Sequence, residues 1–125
     1  MSVINLSQKL SLFSEHWRPK VVAEANGAEI KLAKIEGEFL FHHHDGADEV
    51  FLCLAGSMEI DFGEDEATRQ THVLHAGEMM VVPAGMRHRT RAAQEAHIMI
   101  LAPKGLRNTG AETHPTLTAP DGVRV

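Results

Sequence analysis

Hydrophobic residues near the start of the chain recur at helical spacing. Leu6, Leu10 and Phe13 lie four and three residues apart, which places them on one face of a helix. Asn5 precedes them, and asparagine is favoured at a helix N-cap because its side chain accepts a hydrogen bond from a free backbone N–H. Pro19 ends any helical tendency. The pattern therefore predicts a short helical segment before this proline.

Beyond the proline, hydrophobic and polar residues alternate with a period of two, as in strands that bury one face. The first two runs flank Asn26-Gly27, a dipeptide that favours a tight hairpin because both residues tolerate a positive φ. About nine short strands, mostly separated by glycines, are predicted at residues 20–25, 28–35, 38–43, 48–55, 57–62, 68–74, 78–82, 88–93 and 96–102. This regular succession of short strands and turns predicts an all-β barrel or sandwich.

The chain contains no internal repeat, low-complexity tract or linker that would divide it. Its 125 residues match the usual size of one domain, roughly 100–200 residues. We predict a single domain over residues 1–125, with a barrel core at about 20–103 between an N-terminal segment, 1–19, and a tail, 104–125. The tail is poor in hydrophobic residues, so we expect it to lie on the surface and be partly disordered.

Composition narrows the range of partners. Hydrophobic residues make up 43% and charged residues 23%, which is typical of soluble globular proteins, and the formal net charge is −5. An acidic chain without a basic patch argues against nucleic acid as a partner. No hydrophobic run approaches the roughly 20 residues of a membrane helix, and we see no secretory signal, so we expect a cytoplasmic protein without a membrane partner.

Nine histidines are many for a chain of this length, and they prompt a search for a metal site. Residues two apart on a strand share a face, so the side chains of His42 and His44 can converge while His43 points away. A tight turn after His44 would bring Glu49 beside them. His88, which begins a strand after a Pro-Ala-Gly turn, could supply the remaining ligand.

Each of these residues also has a simpler interpretation. A His-x-His pair on a strand also occurs as a hydrogen-bonded surface patch, the glutamate could be a solvated edge charge, and the last histidine could be an isolated strand residue. For any one of them alone, the simpler interpretation is favoured. The metal-site hypothesis depends on all four together and on the glycine spacing around them.

That spacing resembles the two conserved motifs of the cupin family. The first motif is matched by Gly37, His42, His44, Glu49 and Gly56, and the second by Gly77, Pro83, Gly85 and His88. Two positions depart from the pattern: the spacer after Gly37 has four residues instead of five, and Ala92 stands where the second motif usually has asparagine. Neither departure affects a ligand position.

The resemblance implies a double-stranded β-helix, or jelly roll, with one divalent metal ion per chain inside the barrel. By position, the implied ligands are His42, His44, Glu49 and His88. Iron, manganese, nickel, zinc and copper all accept such a shell, so the ligand set does not distinguish them. Within the family, the chain looks like the small single-domain members that are named after mannose-6-phosphate isomerase, a name that assigns no substrate.

Strand alternation then indicates which neighbours face the interior. With Glu49 pointing inward, Phe51 and Cys53 point inward too, and the same reasoning from the second motif places Thr90 inside. For His97 either face of the last strand could be the cavity side. The candidates for a substrate pocket are therefore Phe51, Cys53, Thr90 and His97.

The opposite faces of these strands carry two further predictions. Residues 39–43 and 50–54 are hydrophobic on both faces, so the outer face needs a cover. A homodimer or the N-terminal segment could provide it, and we favour the homodimer. Arg87, Arg89 and Arg91 point outward, where we expect a solvated face, with ion pairs to neighbouring carboxylates or binding of an anionic group as the alternatives.

These features predict a metalloenzyme that acts on a small molecule, by a reaction of isomerase or dioxygenase type. The alternative is a cupin that binds a sugar or organic acid without catalysis. The chain has no tyrosine, so a general acid or base would have to be His97, Cys53 or a metal-bound water.

Overall fold

The computed structural model describes residues 2–125 and contains one short helix and seven β-strands. The helix is α1, Leu6–Leu10, and the side chain of Asn5 caps it by accepting a hydrogen bond from the backbone N–H of Gln8 at 2.9 Å. The strands are β1 Lys20–Ala25, β2 Ala28–Glu38, β3 Glu49–Ala55, β4 Ser57–Phe62, β5 Gln70–His75, β6 Met79–Val82 and β7 His88–Pro103. The predicted all-β class with an N-terminal helical segment is confirmed.

All strand pairs are antiparallel, and β7 is the strand to which most others attach. It pairs with β2 along its length, with β3 in its C-terminal half and with β4 in its N-terminal half. The hydrogen-bonded order is β1-β2-β7-β3-β6, with β5 attached through β4. The sheet curls into a jelly-roll barrel with a hydrophobic interior. Within residues 2–125, no helix has the length and hydrophobicity needed to cross a membrane.

The first hairpin forms where the sequence predicts it. Asn26 and Gly27 have φ values of 54° and 76°, and Ala25 pairs with Ala28 across the turn. Both central residues of this two-residue turn adopt positive φ, which matches the right-handed twist of the flanking strands.

The predicted strand 38–43 is not formed as a strand. A register shift between Ile35 and Gly37 ends the regular part of β2, and the chain continues irregularly to β3 apart from one bridge between His42 and His88. In a regular strand with His42 and His44 facing inward, Phe39 would face outward, but it is buried. The runs 88–93 and 96–102 are one continuous strand, β7, so seven strands replace the predicted nine.

The C-terminal tail is folded onto the barrel, which differs from the expectation of partial disorder. Thr109 is fully buried, and the N–H of Val21 donates to the carbonyl of Val123 at 2.7 Å. The side-chain amide of Asn108 donates to the carbonyl of Leu117 at 2.8 Å, and its oxygen accepts from the N–H of Ala119 at 2.9 Å. Polar contacts of this kind replace the hydrophobic pattern that the tail lacks.

The outward-facing arginines form ion pairs, so the expected solvated face is wrong for two of the three. Arg89 is 5% exposed and lies opposite Asp61 of β4, which is fully buried. The side chains of Arg89 and Arg91 both donate to Asp61 Oδ2, at 2.8 Å for the nearest atom of each. Arg87 remains partly exposed, 3.7 Å from Glu112.

Candidate metal centre

The structure brings the four motif residues together at one end of the barrel. His42 and His44 lie on the irregular segment after β2, Glu49 begins β3 and His88 begins β7. One nitrogen or oxygen atom from each lies within 4.8 Å of those from the other three. All four residues are buried, with exposures between 0% and 6%. This arrangement is a cluster of three imidazoles and one carboxylate.

Backbone pairing sets the relative position of His42 and His88. The N–H of each donates to the carbonyl of the other, at 2.9 and 2.8 Å, and their ring centroids lie 4.3 Å apart. The Nδ1 atom of His42 is 3.0 Å from the carbonyl of Leu40, and that of His88 is 2.8 Å from the carbonyl of Met86. A hydrogen bond to a carbonyl requires a proton on Nδ1, so each ring offers the lone pair of Nε2 to the cluster.

Several atoms at the centre of the cluster lack a hydrogen-bond partner among residues 2–125. They are the Nε2 atoms of His44 and His88 and the Oε1 atom of Glu49. Oε1 lies 3.3 and 3.4 Å from the two nitrogens, without the geometry of a hydrogen bond. A buried polar atom left without a partner costs about 1–3 kcal/mol. A divalent cation bound by these atoms would remove that cost, so the residues present fit a metal ion.

Electrostatics favours the protonation states that a cation needs. Burial, with a further contribution from His88, lowers the pKa of His42 to about 3. Burial alone would raise the pKa of Glu49, but the close approach of the imidazole nitrogens of His44 and His88, at 3.3 and 3.4 Å, favours its charged form and lowers the pKa to about 2. Near neutral pH, His42 is therefore neutral and Glu49 is anionic, which are the forms that bind metal ions.

The middle histidine of the run does not join the cluster. The side chain of His43 is 31% exposed, and its Nε2 lies 3.4 Å from a carboxylate oxygen of Asp45. Its backbone carbonyl accepts a hydrogen bond from the N–H of Ala111 in the tail. The two outer histidines thus turn inward and the middle one turns toward solvent.

A cavity of about 40 Å³ adjoins His42 and Glu49 and opens toward solvent. Its walls are mostly hydrophobic: Trp17, Pro19, Ala33, Ile35, Phe39, Phe51, Thr90, Ile98, Ile100 and Asn108 complete the lining. Trp17 stacks on Phe39 with ring centroids 4.8 Å apart. Among the described residues, no titratable side chain other than the two cluster members lines this cavity.

The four pocket candidates fall into two groups. Phe51 and Thr90 line the cavity, whereas Cys53 and His97 are not among its lining residues. Cys53 is fully buried in the hydrophobic core, with its thiol 3.5 Å from the carbonyl of Gly56. His97 turns to the other side of β7, where its Nε2 lies 3.3 Å from Glu95, so the cavity side of that strand carries Ile98.

Three important wall residues were not predicted from the sequence. Phe39 was not predicted because the irregular segment breaks strand alternation. Asn108 was not predicted because it lies in the tail. Trp17 reaches the cavity from the N-terminal segment through a left-handed backbone conformation, φ 63°, which no local pattern indicates. The one signal in the sequence that could have drawn attention to Trp17 is that it is the only tryptophan of the chain.

Comparisons with known proteins agree with this geometry. The protein-family model of the cupin domain matches residues 28–104 of the sequence. An uncharacterized protein, YdbB, from Bacillus subtilis (strain 168) is 39% identical over 71 residues, which are 57% of this chain and 59% of that protein. The chain thus spans less than two thirds of that curated relative.

Solved structures show the same similarity. A cupin-2 domain containing protein from Shewanella frigidimarina NCIMB 400 is 45% identical, with a TM-score of 0.76 over 82% of this chain and 95% of that one. Hydroquinone 1,2-dioxygenase from Sphingomonas sp. TTNP3, in complex with 4-nitrophenol, shares the fold at 22% identity, with a TM-score of 0.70 over 80% of this chain and 32% of that one. With its jelly-roll barrel and its cluster of three histidines and a glutamate, the chain belongs to the cupin family.

Proposed function

We propose that this cupin is a metal-dependent oxygenase of the dioxygenase type that acts on a small, largely hydrophobic molecule. One observation carries the proposal: the ligand cluster adjoins a hydrophobic cavity whose described lining offers no further titratable side chain. The chemistry at such a site has to come from the metal and its open coordination positions.

The metal would be held by the imidazoles of His42, His44 and His88 and the carboxylate of Glu49, as one divalent ion per chain. Four protein ligands leave positions free on an ion that prefers five or six. Among the ions that this shell accepts, we propose iron, because bound iron supplies oxygen activation. The surrounding protein keeps the candidate ligands buried, with the His42 imidazole neutral and the Glu49 carboxylate anionic, and backbone carbonyls orient the rings of His42 and His88.

The cavity walls support a hydrophobic and preferably planar substrate. Phe51 and the stacked pair of Trp17 and Phe39 offer aromatic surfaces to a ring lying beside the cluster. Thr90 offers a hydroxyl at the same wall. About 40 Å³ holds only a few water molecules, so the substrate is small or enters by displacing a wall residue such as Trp17. The hydroquinone 1,2-dioxygenase that shares this fold was solved with 4-nitrophenol, a ligand of this kind.

The same lining disfavours an isomerase. Moving a proton between two carbons of a substrate needs an acid or base within hydrogen-bond reach, and a metal-bound water would be the one left at this cavity if no side chain serves. Cys53 and His97, the two side chains considered for that role, do not line the cavity. Oxygenation at a metal makes no such demand on the protein.

Oxygen uptake tests the proposal. Protein purified without added metal is first analysed for its elements, then loaded anaerobically with Fe²⁺ and mixed with oxygen and a panel of catechols, hydroquinones and sugars. We expect oxygen consumption with a phenolic compound, lost in His42→Ala and retained in the matched control His43→Ala. Binding of phenols without oxygen uptake would contradict catalysis and favour the binding-protein alternative.

We also propose that the protein forms a homodimer through the outer face of β3, β6 and β7. Met79, Val81 and Leu101 are 59%, 49% and 40% exposed, and they lie beside Leu52 and Val50 in the strand register. A hydrophobic face of this kind can pair with its own copy about a two-fold axis.

We also propose a cytoplasmic location, and the free thiol of Cys53 fits a reducing compartment.

A further inference from the structure

Arg89 links the segment that carries two candidate ligands to the neighbouring sheet. Its Nη1 donates to Oε2 of Glu38 at 3.2 Å, and its guanidinium carbon lies 4.6 Å from the ring centroid of Phe41. Glu38 ends β2, and Phe41 immediately precedes His42. One side chain therefore contacts both ends of the stretch that leads into the ligand cluster.

The other edge of the guanidinium is fixed in the protein interior. Nε and Nη2 donate to Oδ2 of Asp61 at 3.0 and 2.8 Å, and Nη2 lies 2.6 Å from Glu66. Asp61 is itself held by the hydroxyl of Thr71 at 2.6 Å. Burial acts to raise the pKa of Asp61, but hydrogen bonds from Arg91, Thr71 and Arg89 outweigh it and keep the pKa below its ordinary value. The anchor thus stays anionic, and charge-assisted bonds of this kind are strong.

The segment that Arg89 contacts has little regular structure of its own. Between β2 and the cluster, the N–H groups of Phe39 and His42 donate to the carbonyls of Thr90 and His88, at 2.9 Å each. These two bonds replace the continuous ladder of a strand. Side-chain contacts therefore have more influence here on where the ligands lie than they would within a strand.

We propose that Arg89 is a positioning residue for the metal centre. Anchored on Asp61, it holds Phe41 and Glu38, and through them it supports the backbone pairing that keeps the imidazole of His42 beside that of His88, as a shared ion requires. The inference rests on the proposed metal site, but not on the reaction or substrate. Arg89 would bind neither the ion nor the substrate, and its effect would reach the site through the backbone of the ligand segment.

Arg91 supplies a matched control on the same strand. It donates to both oxygens of Asp61, at 2.8 and 3.2 Å, and its remaining partners are Thr71 and Glu59 on β5 and β4. Loss of Arg91 therefore removes a comparable set of bonds to Asp61 without removing a contact to Phe41. A purely structural role of the arginines predicts the same outcome for both.

Two measurements on Arg89→Met, Arg89→Lys and Arg91→Met test the proposal. Hydrogen exchange of the metal-free proteins reports on the amides of Phe39 and His42, and we expect about tenfold faster exchange in Arg89→Met than in Arg91→Met. Titration with Co²⁺ gives the affinity and the visible spectrum of the site. We expect a Kd about tenfold higher and an altered spectrum in Arg89→Met, as for loss of other residues that orient ligands.

Arg89→Lys keeps the charge but loses the planar fork and the stacking on Phe41. Its amide exchange rate and Co²⁺ affinity should therefore lie between those of wild type and Arg89→Met. It should also fold even if Arg89→Met does not. Equal exchange and equal Co²⁺ affinity in the Arg89 and Arg91 variants would overturn the inference. Wild-type protein that binds no Co²⁺ would contradict the proposed metal site instead. Exchange would still decide whether Arg89 holds the segment.

Discussion

The rings of His42 and His88 lie 4.3 Å apart because their backbones are paired directly, each N–H donating to the other's carbonyl. Both rings also use Nδ1 to contact the carbonyl two residues earlier in the chain. The same local arrangement therefore sets two candidate ligands that are far apart in sequence. Both present Nε2 to a common point, and this gives the cluster a defined donor geometry before any ion binds.

Single histidine substitutions should distinguish the three candidate ligands from their neighbour His43. His42→Ala, His44→Ala and His88→Ala should each lose most of the bound metal, since each removes one of four donor atoms from a buried site. His43→Ala should keep its metal because His43 faces Asp45 at the surface. Elemental analysis of the purified variants provides the measurement. Equal metal loss in the His43 variant would refute the assignment.

The metal-free protein should lose stability as the pH falls below about 6.5. The pKa of His42 falls from 6.5 to about 3 on folding, so the unfolded chain binds the proton more readily over that interval. The stabilisation is complete above pH 6.5 and is lost toward pH 3, with a slope of up to about 1.4 kcal/mol per pH unit. Glu49 acts with the same sign between pH 4.5 and about 2. Urea unfolding at several pH values measures the free energy of unfolding. His42→Ala should flatten its dependence on pH, whereas His43→Ala should not.

Bound metal should make that pH dependence steeper. Protons compete with the ion for the three imidazoles, so metal affinity falls with pH. The difference in Tm between metal-loaded and chelated protein should be wide near neutrality and narrow in mild acid. A difference that stays constant with pH would show that these histidines are not the ligands or that binding is not coupled to folding.

Gly110→Ala should weaken both the fold and the metal site. Gly110 has a φ of 61°, and an added Cβ would overlap the carbonyl oxygen of His43 and approach Nδ1 of His44 to 3.3 Å. We expect a loss of about 1–3 kcal/mol in unfolding free energy, together with lower metal affinity. Gly122→Ala is the control, because Gly122 has a similar φ of 69° but nothing within 4 Å of an added Cβ. Equal effects of the two substitutions on metal affinity would argue against a contact of the tail with the ligand segment.

Light scattering at micromolar concentration should give the mass of a dimer. Val81→Glu should shift the protein to a monomer because it places a charge in the centre of the hydrophobic outer face. Val73→Glu, at a valine on β5 that is also 50% exposed, should leave the dimer intact. A wild-type monomer would refute the homodimer, because the N-terminal segment leaves Met79, Val81 and Leu101 exposed in the single chain.

The clustering of the four motif residues was predictable in part because turns and strand starts are encoded locally. Glycines mark the turns, and Glu49 and His88 each begin a strand, so motif spacing translates directly into position. The hairpin at Asn26-Gly27 was predictable for the same reason. His42, His44 and Glu49 are close in sequence, so local spacing predicts their convergence, whereas His88 is distant and was assigned through the resemblance to the second cupin motif.

The cavity and the arginine contacts were not predictable in this way. Phe39 departs from alternation because of a register shift in β2, which no residue type signals. The burial of Arg89 depends on its pairing with Asp61 of β4, a partner distant in sequence. Asn108 reaches the cavity through a tail held by polar contacts. Each of these depends on tertiary register, which strand periodicity does not specify.

The long strand β7 also decides when the site can exist during biosynthesis. Three ligands are synthesised early and close together, but the fourth begins β7, which also pairs with β2, β3 and β4. Such contacts between distant residues form late, because closing the intervening loops costs entropy before any contact compensates for it. On the ribosome, a nascent chain that ends before β7 displays His42, His44 and Glu49 without the pairing that aligns them. Binding of the proposed ion by all four residues therefore requires that the barrel has closed.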